Sequence, residues 1–342
     1  QTRCPWKLSR QPGCSSAGNG SAVAAGQVLA ALGHDSGGSL RIPAAFCGIT
    51  AIKATHGLVS KSGCLCVSDT MDNVGPMART ALDCALLLDI IAGFDEKDPC
   101  SICPPPGHAV SFSAGIEDDV RGLKVAVIPS LLHDCDKDVI CNFRRTVTEL
   151  QAMGIEVGEV EPMGSEDETS WRRRLTCDGV EVTRVEKAAA LGSLLDQPDG
   201  MSSFTREEAL AARKVSAEAY LTYQKHRRDV EQRFEDALKQ NGLSGFLLPT
   251  MKFTAPPIVD NPDPQQDPFR LQFNGRMPLT RIFNHTRQPS IAAPNGFDAD
   301  GLPTSFMVTC GKWKDATALR IVHKYQQATE YHLQRPSYPF PK

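Results

Sequence analysis

The apolar positions of this chain switch repeatedly between a period of two and a helical period. Residues 123–128 form a short apolar run that predicts a strand. Residues 136–153 are amphipathic at helical spacing and are stopped by Gly154, and residues 155–160 alternate like a second strand. This strand–helix–strand unit predicts a right-handed crossover joining a parallel pair. Residues 80–92 predict a helix whose broad apolar face is Leu82, Ala85, Leu86, Ile90 and Ile91, with Thr80 and Asp83 as a variant capping box. Thr205-Arg206-Glu207-Glu208 reads as a capping box opening one long helix. Val230, Phe234 and Leu238 follow along one face, and Gly242 ends it. Strands are predicted over residues 49–59, with a turn at Gly57, and over 246–250, 289–294 and 303–309; a closing helix is predicted over 315–331. The alanine-rich stretch 20–32 predicts a buried helix. Residues 95–115 and 260–267 are proline-rich and read as a connector and a surface loop. No internal repeat is apparent. The alternation of elements predicts an α/β protein with helices covering a sheet.

Composition narrows the function classes. The chain has 342 residues, 41% hydrophobic and 23% charged, as in ordinary globular proteins. A net charge of −3 gives no strong attraction to nucleic acid or to an anionic membrane. No apolar run is long enough for a membrane span. The 12 cysteines are scattered, and they are expected to be free thiols. Cys64/Cys66 and the C-x-x-C of Cys100/Cys103 are the closest pairs. No second C-x-x-C or histidine pair completes a zinc pattern, so no metal and no cofactor are expected.

The candidate chemistry lies in residues 10–44. Two glycine-rich, serine-bearing turns are joined there by small residues: one holds Ser15 and Ser16, the other is Asp35-Ser36-Gly37-Gly38-Ser39. Glycine beside serine lets the backbone turn sharply and aim its N–H groups at a bound atom. Such a serine is a candidate nucleophile, with the amides as an oxyanion hole. A dinucleotide reading of Gly18-Asn19-Gly20 fails, because Val23 stands where G-x-G-x-x-G needs glycine. A Ser-His-Asp triad is the rival mechanism. His34 and Asp35 are neighbours whose side chains point apart, and G-x-S-x-G is absent. His56, His285 and His323 read as ordinary core or surface histidines. Asn19-Gly20-Ser21 and Asn284-His285-Thr286 match the glycosylation pattern.

This block resembles the signature of the amidase signature family of serine hydrolases. The resemblance extends through Cys4-Pro5-Trp6-Lys7-Leu8-Ser9-Arg10, Ala44-Ala45-Phe46-Cys47-Gly48, Lys53-Ala54-Thr55-His56-Gly57, Val74-Gly75-Pro76-Met77-Ala78-Arg79-Thr80 and Asn295-Gly296-Phe297-Asp298. It implies a mixed central β-sheet covered by helices on both faces, with residues 1–342 as one amidase domain. It implies Ser39 as nucleophile and Ser15, after a cis peptide bond from Cys14, as proton relay. The amides of Ser36, Gly37, Gly38 and Ser39 become the oxyanion hole. Asp35 and Arg41 become structural clamps, and Ser16 a hydrogen-bond partner of Ser39. Cys14 and Ala17 depart from the family pattern, which has glycine or another very small residue there.

The family also uses a neutral lysine as ultimate base, on a strand well upstream of the serine loop. Lys7, Lys53 and Lys61 do not stand at that position, so the chain is expected to be an N-terminally incomplete form, inert by itself. The implied activity is hydrolysis of a carboxamide through an acyl-enzyme. The alternatives are the amidase component of a tRNA-dependent amidotransferase and an inactive amide-binding remnant. Against the first alternative, Ile42 follows Arg41 where that subfamily usually has glutamine. The expected partner is a small-molecule amide, with no nucleic acid bound directly and a homodimer allowed. The expected location is the cytoplasm, with an N-terminal targeting signal left open.

Overall fold

The computed structural model describes the chain except residues 108–110, 165, 198–200, 260–266, 277 and 338–342. The first half contains α1 (Ala17–Ala24), β1 (Ala30–Asp35), α2 (Arg41–Cys47), β2 (Thr50–Lys53), β3 (Asn73–Ala78), α3 (Ala81–Ile91), β4 (Lys124–Val127), α4 (Lys137–Ala152) and β5 (Glu156–Glu159). The second half contains α5 (Glu168–Leu191), α6 (Ser203–Ala212), α7 (Ala217–Gln240), β6 (Gly245–Pro249), α8 (Pro268–Gly275), α9 (Leu279–His285), β7 (Ser290–Phe297), β8 (Pro303–Cys310) and α10 (Asp315–Ala328).

The eight strands form one mixed sheet in the order β1-β3-β2-β7-β8-β6-β4-β5. The crossover unit predicted from periodicity is present, with β4 and β5 parallel. β6 joins β4 in parallel as well, and the pairs from β1 through to β6 are antiparallel. The alternation of side chains decides which helices meet which face. Leu247, Phe306 and Val308 point into a core shared with α3, α4 and α10. Their neighbours Phe246, Leu248 and Met307 point the other way, against Val230, Phe234 and Leu238 of α7 and Ile282 and Phe283 of α9. Helices therefore cover both faces, as the family resemblance implies. Among the described residues, no helix is long and apolar enough to cross a membrane.

Three expectations change. Residues 20–32 are not one helix: α1 ends at Ala24, Gly26 takes φ +73°, and the chain enters β1. There Leu32, Gly33 and His34 pair with Pro76, Gly75 and Val74. Pairing with β3 overrides the alanine content that favours helix. Residues 205–242 form two helices rather than one. The Ser202 hydroxyl accepts the Thr205 N–H at 3.2 Å to open α6, and the Ser216 hydroxyl accepts the Ala219 N–H at 3.1 Å to open α7. The strand expected over 49–59 is only β2. Beyond it, Asp315 accepts from both the N–H and the hydroxyl of Thr55, each at 2.7 Å, and the chain turns away at Gly57. The surface loop expected at 260–267 lies outside the described residues except for Asp267.

Candidate active site

β1 runs directly into the second serine-bearing turn, and a buried charge pair fixes where that turn goes. Asp35 closes β1 and Arg41 opens α2, and both are fully buried. The guanidinium meets the carboxylate in a two-pronged contact, Nε to Oδ2 and Nη2 to Oδ1, each at 3.1 Å. The same carboxylate accepts the Gly38 N–H at 2.7 Å and the Leu40 N–H at 3.2 Å. Asn284 of α9 completes the knot, accepting from Arg41 Nη2 at 2.7 Å and donating to Asp35 Oδ1 at 2.8 Å. Burial pushes the Asp35 carboxyl up, but the Arg41 charge and the donors from Arg41 and Asn284 outweigh it and hold the group at about 2. It is ionised at neutral pH and holds the turn from inside.

Glycine is required at the turn's tightest point. Gly38 has φ +124°, and a β-carbon there would lie 2.7 Å from Thr280 Cβ and 2.9 Å from Ile42 Cδ1. The Thr280 hydroxyl donates to the Gly37 carbonyl at 2.9 Å. α9 thus supports the turn from outside while Asp35 holds it from within.

The first serine turn meets the second through backbone. The Ser16 N–H donates to the Ser39 carbonyl at 3.3 Å. The Cys14–Ser15 peptide bond is cis. Ser15 is exposed, and Ser39 lies in the wall of a cleft of about 440 Å³ with Ser36, Gly37, Cys14 and Ile42. Neither the Ser15 nor the Ser39 hydroxyl is hydrogen-bonded to another described residue. The Ser16 side chain does not reach Ser39: its hydroxyl donates to the His34 carbonyl and accepts the His34 N–H, each at 3.3 Å. The Gly38 N–H is engaged by Asp35, so the amides at the turn without a partner among the described residues are those of Ser36, Gly37 and Ser39.

The lysines and histidines that the sequence offers as bases are directed elsewhere. Lys53 is fully buried and donates to the Ala54 carbonyl at 2.9 Å. Burial and the nearby Arg41 charge bring its ammonium down to about 7, against the pull of Asp35 and Asp315. Lys61 donates to the Asp69 carbonyl at 3.2 Å, and Lys7 faces Asp300 at 3.6 Å. His34 turns toward Asp72 at 3.5 Å, away from the serines. His285 is buried against Gly179, and burial lowers its pKa to about 3. His323 pairs with Glu117 at 2.7 Å. No Ser-His-Asp arrangement forms among the described residues.

The opposite wall of the cleft is α5, contributing Val180, Thr183, Arg184 and Lys187. Glu186 ties this helix to the rest of the site. It accepts from the Ser68 and Thr70 hydroxyls, from the Thr70 N–H at 3.0 Å, from the Tyr220 hydroxyl at 2.7 Å and from Gln224 at 3.0 Å. Sequence reasoning missed α5, Glu186, Thr280 and the buried role of Asn284. The helical period of α5 is masked by charges on most turns, and Asn284 carries a glycosylation pattern although it is 1% exposed. The Thr280 contact depends on a separation of 243 residues, and no local signal announces it.

Residues 1–319 match the Amidase family. The chain is 34% identical to the A subunit of glutamyl-tRNA(Gln) amidotransferase from Chromohalobacter salexigens, over 98% of this chain and 70% of that protein. It is 33% identical to the protein of the same name from Geobacillus stearothermophilus, over 98% of this chain and 71% of the other. Among solved structures, the Thermotoga maritima protein of that name superposes with a TM-score of 0.77 at 30% identity, covering 94% of this chain and 67% of that one. A 6-aminohexanoate cyclic dimer hydrolase bound to its substrate gives a TM-score of 0.83 at 25% identity, covering 98% and 72%. With the fold, the paired serine turns and these relatives in agreement, the chain belongs to the amidase signature family.

Proposed function

We propose that the site hydrolyses a carboxamide, with Ser39 as nucleophile and Ser15 as the group that carries its proton. The observation that carries this reading is the turn itself. Asp35, Arg41 and Asn284 fix it so that Ser39 faces a cleft with the amides of Ser36, Gly37 and Ser39 unengaged. Attack by the Ser39 hydroxyl on the amide carbon forms a tetrahedral intermediate whose oxyanion those amides can receive. The Ser39 proton passes to Ser15 and on to the leaving amine, and water then releases the acyl group. Ser15 is a conduit and needs a base behind it. Lys7, Lys53 and Lys61 are each held elsewhere, so none of the three is placed to be that base.

The cleft suits a substrate with a polar end. Arg184, Lys187, Arg270, Arg281, Glu208 and Asp267 line it, and Glu208 pairs with Arg184 at 3.3 Å and with Lys187 at 3.9 Å. The relatives named as amidotransferase subunits support a second reading, in which the ammonia released serves a partner protein. Ile42 in the cleft wall sets this chain apart from that subfamily's usual glutamine.

The test is labelling by a fluorophosphonate probe, mapped by mass spectrometry, together with ammonia release from glutamine and other carboxamides. The wild-type chain is compared with its Ser39→Ala and Ser15→Ala variants. The label should map to Ser39, and Ser39→Ala should abolish both signals with folding intact. A label on another residue, or undiminished turnover in Ser39→Ala, would overturn the assignment.

A further inference from the structure

We propose that His34, Cys66 and Asp72 form a binding site for a zinc-class divalent cation at the foot of the serine turn. A ring nitrogen of His34, Sγ of Cys66 and a carboxylate oxygen of Asp72 all lie within 4.8 Å of one another. An imidazole, a thiolate and a carboxylate are the ligand types zinc selects. Zinc bonds of about 2.0–2.3 Å place tetrahedral ligand atoms roughly 3.3–3.8 Å apart. His34 Nε2 already lies 3.5 Å from the near oxygen of the Asp72 carboxylate, Oδ2, and Cys66 sits on a partly exposed loop.

A second observation points to a ligand. Asp72 is 0% exposed, and its Oδ1 has no hydrogen-bond partner, nor does the buried Nε2 of His34. The other oxygen, Oδ2, accepts the Val67 N–H at 2.6 Å and the Ser68 N–H at 2.9 Å. The carboxylate is therefore aimed by the backbone while its second oxygen is left with nothing to bind. Leaving a buried carboxylate oxygen and an imidazole nitrogen unpaired is costly, and one cation would satisfy both. Binding would release the Cys66 thiol proton to solvent as the thiolate joins the metal.

The location gives the site its consequence. His34 immediately precedes Asp35, and Cys66 precedes Val67 in the cleft wall. A bound cation would join the end of β1 to the 66–72 loop, outside the reacting serines. It would stiffen the support of the turn and one side of the cleft.

The experiment is a titration of the metal-free protein with Co2+, followed by displacement with Zn2+. One equivalent of Co2+ should give a thiolate-to-cobalt charge-transfer band that Zn2+ removes. Cys66→Ala should abolish the band, and His34→Gln and Asp72→Asn should weaken Zn2+ binding by about 100-fold or more, since even outer-shell losses cost 10–100-fold. Cys64→Ser and Cys14→Ser, exposed thiols nearby, should leave the band unchanged. Absence of a thiolate band in the wild-type protein would overturn the proposal. So would its survival in Cys66→Ala. If Asp72→Asn does not fold, the partly exposed Cys66 and His34 variants decide the matter.

Discussion

Arg41→Met separates the charge of the buried pair from its bulk. Methionine fills much of the space along the arginine stem, so the main loss is the guanidinium and its contacts with Asp35 and Asn284. Asp35 then keeps the N–H groups of Gly38, Leu40 and Asn284 but loses the counter-charge that touches it. Removing one partner of a buried ion pair costs about 3–5 kcal/mol, because the other charge is left uncompensated. The pH dependence carries the sign. In the intact protein the Asp35 carboxyl sits at about 2 against an ordinary 3.8, so it contributes about 2.5 kcal/mol of stability, present above pH 4 and lost as pH falls toward 2. In Arg41→Met burial dominates and pushes the carboxyl above its ordinary value. The penalty is then largest at neutral pH and is relieved on acidification. Urea unfolding should therefore show a deficit of about 3–5 kcal/mol at pH 7.5 that narrows at pH 4.5. Asp35→Asn combined with Arg41→Met should cost at least about 1 kcal/mol less than the two single losses added together. A deficit below about 1 kcal/mol at pH 7.5, or a double variant additive within about 0.5 kcal/mol, would refute the claim that this pair governs the turn.

Gly38→Ala should fold but with the turn displaced, since a β-carbon at φ +124° meets both Thr280 and Ile42; the expected cost is about 1–3 kcal/mol, with Ser39 labelling slowed at least about tenfold, and wild-type labelling would contradict it. Lys53 is brought to about 7 by burial, so its penalty is fully present below pH 7 and is relieved as pH rises toward 10. Wild-type stability should accordingly rise relative to Lys53→Met by about 2–3 kcal/mol between pH 6 and 9 in urea unfolding, and parallel profiles would disprove it.

The legible parts of this chain were those governed by neighbours in sequence. The crossover of β4, α4 and β5 announced itself through period and a stopping glycine, and α3 through the Thr80 hydroxyl that accepts the Asp83 N–H. The serine turns were visible because glycine spacing constrains backbone locally. The spacing said nothing of what each hydrogen-bonding group would meet. Ser16 turned back to β1, and Gly38 gave its amide to Asp35. The alanine-rich run failed as a helix because pairing with β3, distant along the chain, outweighed local preference. His34, Cys66 and Asp72 fell outside every metal pattern because the fold, not the spacing, brings them together.

One seven-residue helix, α9, touches both sides of the site. Thr280 and Asn284 hold the turn that bears Ser39, and His285 lies against Gly179, where a β-carbon on α5 would strike the ring. The α5 wall of the cleft is therefore registered on the same short element as the wall that carries Ser39. Substitutions on the inner face of α5, at Val180, Thr183 or Lys187, can reshape what enters without disturbing the serine turn. A bulky change at Gly179 cannot, because it would push on α9 and so on the turn. The α5 wall of the cleft is thus free to vary while the Ser39 turn stays anchored on α9.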